Sequence, residues 1–248
     1  MKPRYSLKLA FAVLLVSSVV VAACVALFEH HRQRGFELAL WEFRQISLAI
    51  QNHESASGRL PAPVYHGRSG LLPLCSWRVF LCPFLEMQSL PRIDVNVAWD
   101  DPSNSMYHKL TLYTLPSVNH DDDGRTRVFA ILGEGTAVGD GVDEPAKTMR
   151  EAPHDLAVVV EVHDSKTNWM APGDYHLDTL EKSILDRNGK FKSGAIGGRF
   201  HVIFADGEVW ALDVNTPYNA FVRFLTTEGA NAADRDADLG SYCLGRSN

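Results

Sequence analysis

From Leu9 to Phe28 the chain reads LAFAVLLVSSVVVAACVALF, twenty residues without a charged side chain. At about 1.5 Å per residue a helix of that length covers about 30 Å, the thickness of a bilayer's hydrocarbon core. Beyond it Phe36, Ala39, Leu40, Phe43, Ile46 and Ile50 recur at spacings of three and four, with Glu37, Glu42, Arg44 and Gln51 between them. That pattern predicts an amphipathic helix over residues 29–58 that continues the apolar segment. Gly58 and Pro61 supply its stop signal, since Gly tolerates a left-handed cap and Pro cannot extend a helix.

A Pro- and Gly-rich loop over 61–73 follows. Residues 74–90 return to helical spacing at Trp77, Phe80, Leu81, Phe84 and Leu85, but Pro83 interrupts it, so a short, broken helix is predicted. Residues 99–104, WDDPSN, form a turn cluster, because Asp and Asn bond their own backbone and Pro fixes φ. The second half changes period. Residues 109–115, 127–132, 156–162, 200–204 and 208–214 are short apolar or alternating runs bounded by Gly, Pro, Asn and Asp, and read as strands. Asp206-Gly207 between the last two is the strongest hairpin signal, read as a two-residue turn with positive φ at both positions. Residues 218–226 read as a terminal helix, and the Asp-, Ala- and Gly-rich residues 229–248 as a loose tail.

The expected class is therefore α+β, a long N-terminal helix packed on an antiparallel sheet. Residues 1–8 form a basic, cytoplasmic end, 9–28 a transmembrane signal anchor, 29–58 the continuing helix, and 59–228 an extracytoplasmic domain. The chain has 248 residues, is 46% hydrophobic and 22% charged, and carries a net charge of -6. Those proportions suit one packed domain behind the anchor, and no basic stripe marks a nucleic-acid partner.

Lys2, Arg4 and Lys8 precede the apolar segment, which places the C-terminal domain outside, although Arg32 and Arg34 follow it. The segment is long for a cleavable signal, which favours a retained anchor with the lipid bilayer as its partner. Val21-Ala22-Ala23-Cys24 also has the small-residue approach of a lipidation site at Cys24, and ordinary cleavage is the third fate.

Candidate chemistry is sparse. Cys75 and Cys82 are seven apart, which on one helix separates their Cα atoms by about 10 Å, beyond the reach of about 7 Å for a disulfide. Irregularity at Pro83 could shorten that distance, or Cys243 could bridge either one. His120-Asp121-Asp122-Asp123-Gly124 could offer calcium an oxygen-rich loop, but lacks the alternate-position ligands of an EF-hand. Gly133-Glu134-Gly135-Thr136-Ala137-Val138-Gly139 lacks the Gly-Lys-Ser/Thr ending of a phosphate loop. His163-Asp164-Ser165 holds the residue types for acyl transfer, yet adjacency does not make a triad, and no serine sits in a nucleophile elbow. No catalytic, cofactor-binding or metal residue is assigned.

Seven blocks stand in a recognisable order: Ser76-Trp77-Arg78-Val79, Pro83-Phe84-Leu85-Glu86, Trp99 to Asn104, Gly133 to Ala137, Val160-Glu161-Val162, Trp169 to Asp174, and Phe204-Ala205-Asp206-Gly207-Glu208-Val209. In these blocks, from about Arg34 to Gly229, the chain resembles the pilin-like domain-of-unknown-function 1559 family abundant in planctomycete bacteria. The resemblance implies a pseudopilin-like architecture and no known reaction. Two departures stand out. The family's processing signal precedes the hydrophobic segment, whereas Gly35-Phe36-Glu37-Leu38 follows it here, and the family's histidine ahead of the Asp-Gly pair is replaced by Ile196, with His201 nearby.

The expected role is a non-catalytic, membrane-anchored envelope protein with a structural or interaction function and possible envelope or pilus-like protein partners. A glycan- or calcium-binding module using Trp99, Asp121 to Asp123 and Trp169 is the alternative, favoured if both tryptophans are exposed. An undetected hydrolase is the third.

Overall fold

The computed structural model describes residues 7–66, 73–85, 93–109, 124–139, 147–163, 165–192 and 197–247. One helix, α1 (Leu7–Ser57), begins the chain. Two short strands, β1 (Val64–Tyr65) and β2 (Cys75–Ser76), pair antiparallel. Then come α2 (Trp77–Leu81), β3 (Val128–Phe129), β4 (Ile131–Leu132), β5 (Ala157–Glu161), β6 (Tyr175–His176) and α3 (Leu180–Ile184). The chain ends with β7 (Arg199–Phe204), β8 (Val209–Asp213), α4 (Tyr218–Phe221), α5 (Thr227–Ala232), α6 (Arg235–Leu239) and β9 (Cys243–Ser247).

The fold is α+β, as the change of period predicts. Five strands form an antiparallel sheet in the order β3-β5-β7-β8-β9, while β4 and β6 pair parallel beside it. Two apolar clusters hold the fold together. One gathers Phe43, Ile46, Ala49 and Ile50 of α1 with Leu60, Trp77, Val128, Val158, Ile203 and Val209. The other gathers Phe129, Val160, Phe200, Phe204, Trp210, Phe221, Phe224 and Leu239. Alternate residues of β7 divide between them, Ile203 joining the first cluster and Val202 and Phe204 the second, as the two-residue period of a strand requires.

The chain divides into two compact units, residues 1–38 and 39–248. In the first, Phe11, Leu14, Leu27 and Phe28 are each 68% exposed. A core helix would bury them, so this stretch is apolar without being a core. Among the described residues one helix is long and apolar enough to cross a membrane. In the second unit Phe43 and Ile46 are fully buried, so the last part of α1 belongs with the sheet.

The broken helix of residues 74–90 appears over its described part as α2 followed by a 3-10 turn at Cys82–Phe84, with Pro83 in its first positions. Residues 127–132 give two strands in different sheets. The run 109–115 falls almost wholly outside the described residues. Residues 218–226 are helical as α4 continued by a 3-10 segment, Val222–Leu225.

Two expectations are corrected. The turn between β7 and β8 has three residues, Ala205 to Gly207: Gly207 N–H donates to the Phe204 carbonyl at 2.9 Å, Phe204 N–H donates to the Glu208 carbonyl at 3.0 Å, and Gly207 sits at φ 88°. This is a turn closed by a glycine bulge. Residues 229–247, expected to be loose, are ordered secondary structure. Polar residues within this stretch and just before it act as caps and ion-pair partners: Thr226 and Asp234 accept from Gly229 and Ala237 N–H at the starts of α5 and α6, Leu239 is fully buried, and β9 completes the sheet against β8.

Candidate functional site

Strand alternation places Glu161 and His163 on one face of an otherwise apolar run, Val158 to Val162, and the adjacent strand presents His201 opposite Glu161. His201 Nδ1 lies 2.6 Å from Glu161 Oε2, which also accepts the His201 backbone N–H at 3.0 Å. The other carboxylate oxygen lies 2.9 Å from Arg127 Nη1 and 3.3 Å from His163 Nε2. Glu161, His163 and His201 are all buried. Burial opposes the charge on Glu161, but Arg127, His201 and His163 together hold its carboxyl well below the usual range.

Helix α1 closes over this group. Phe43 stacks on the His201 imidazole with ring centroids 4.9 Å apart and planes 18° apart. Glu42 beside it is pushed up to about 7 by burial, against the pull of Arg127 and with a further push from Glu161. His201 Nε2 is buried and has no hydrogen-bond partner among the described residues.

A second buried network joins α2 to the sheet. Arg78 donates from Nε to the Val128 carbonyl, from Nη1 to Ser76 Oγ and from Nη2 to Asp174 Oδ1, each at 2.6 Å. Asp174 also accepts from Ala130 N–H at 2.9 Å and from the Trp77 indole at 3.1 Å. Burial raises the Asp174 carboxyl against the pull of Arg78 and these donors. With every oxygen partnered, the pair fixes geometry and leaves nothing for a substrate.

The family model described as "Protein of unknown function (DUF1559)" matches residues 42–203, well over half of the 248. The chain belongs to the DUF1559 family. No curated protein and no solved structure matches it. In this DUF1559 protein the matched span contains Glu42, Arg127, Glu161, His163 and His201, and both halves of the Arg78–Asp174 pair. It ends inside β7, short of the Asp206-Gly207 turn and the C-terminal strands.

The residues that the sequence singled out part company here. His163 faces Glu161, whereas Ser165 Oγ accepts Thr167 N–H at 3.0 Å; Asp164 lies outside the described residues, and no acyl-transfer arrangement is seen among the rest. Trp169 is buried, with its indole donating to the Tyr107 carbonyl at 3.1 Å, and Trp99 is half-buried against the core, which removes the exposed aromatic pair a glycan site needs. Within Gly133 to Gly139 the backbone turns on itself: Gly133 N–H donates to the Gly139 carbonyl and Thr136 Oγ1 to Gly133. Lys147 Nζ and Thr227 N–H take the Thr136 and Gly135 carbonyls, so the loop serves the fold. Asp121 to Asp123 and Ile196 lie outside the described residues. Among the described residues no group of three His, Cys, Asp or Glu is arranged to hold a metal ion. Cys75 and Cys82 are buried free thiols, pushed up to about 11 and about 12 by burial, and Cys243 is also free.

Sequence reasoning passed over the Glu161 cluster. The signal was present as ionisable residues at alternate positions, 161 and 163, inside one of the most apolar runs of the chain, a placement that proteins tolerate only with partners.

Proposed function

We propose that this DUF1559 protein is a non-catalytic, membrane-anchored protein of the cell envelope with a pseudopilin-like structural or interaction role, its folded unit lying outside the cytoplasm. The observation that carries this reading is the apolar stretch of α1, whose large side chains from Phe11 to Phe28 are exposed along a helix long enough to cross a bilayer. Lys2, Arg4 and Lys8 ahead of it favour retention of the N-terminus in the cytoplasm. The pilin-like resemblance implies a long N-terminal helix packed on an antiparallel sheet, and the packing of the last part of α1, from Ala39 to Ser57, on the sheet of residues 39–248 supports it. Against the glycan form of the alternative, an extracytoplasmic binding module, stands the burial of Trp169.

Fractionation of cells expressing the full chain tests the reading. The protein is expected to stay with membranes through high-salt and alkaline washes, to be digested by protease added outside the cell membrane, and to keep an intact N-terminus by mass spectrometry. Cys24→Ala is expected to leave this retention unchanged. Release by alkaline wash, or a mature chain that begins at or after Cys24, would overturn the helical anchor.

A further inference from the structure

We draw no further inference here: the strongest candidate, the surface patch where Trp41 and Leu48 of α1 stand exposed on the side from which Arg44 reaches Ser247 of the edge strand β9, carries nothing, because nothing among the described residues shows what covers it.

Discussion

Gly207 shows how one residue joins two elements. Its positive φ closes the β7–β8 turn, its carbonyl accepts from Ser47 Oγ of α1 at 2.8 Å, and a Cβ there would come within 2.2 Å of the Gln51 side-chain nitrogen. Gly207→Ala is expected to cost about 1–3 kcal/mol, from the left-handed backbone and the displaced Gln51; urea denaturation measures it, and Gln51→Ala in the same chain should restore only the steric part. Glu42 gives a second outcome, with a definite sign. A carboxyl raised from its ordinary value to about 7 stabilises the protonated form. Its contribution is therefore full below about 4.5 and is lost as pH rises through about 7. Glu42→Gln is expected to match the wild type near pH 4.5 and to exceed it by up to about 3 kcal/mol near pH 8. Denaturation of both proteins across that range checks this.

At the scale of elements, α1 and the C-terminal segment cover opposite faces of the sheet's core. Phe43 and Ile46 fill the first apolar cluster, whereas Leu239 and the aromatic residues of α4 and its 3-10 continuation fill the second. Arg235 of α6 clamps the β7–β8 hairpin, pairing with Asp155, Asp206 and Glu208 and lying 4.9 Å from the Trp210 ring centroid. Ending the chain at Ala233 removes α6 and β9, uncovers the edge of β8 and leaves Asp206 and Asp155 without their cation. A loss of at least about 3 kcal/mol is expected from the burial of Leu239 and the broken pairs. The midpoint of urea unfolding, followed by tryptophan fluorescence, reads it; an unchanged midpoint would mean that the segment is dispensable.

For the whole molecule, the division at Leu38 has a practical outcome. Residues 39–248 contain both apolar clusters and every strand among the described residues, so this piece, made without the apolar stretch, is expected to be soluble and to unfold cooperatively in calorimetry. The long helix and the central strands were legible in the sequence because they rest on local order. Twenty uncharged residues set the apolar helix, spacings of three and four set the continuation through Ile50, and short apolar or alternating runs bounded by turn residues set the strands at 157–161, 199–204 and 209–213. The blocks that carry the family resemblance were legible as well, but their partnerships were not. Arg78 meets Asp174 across 96 positions and Glu161 meets His201 across 40. The tail looked loose because capping and ion pairing use the same Asp, Thr and Arg residues as a solvated coil. Sequence alone determined the apolar span, the long helix that continues it and the strands β5, β7 and β8, since period and composition are properties of neighbours. Only the tertiary structure decided which buried charges face one another, because pairing and desolvation depend on distances that the chain sets by folding back on itself.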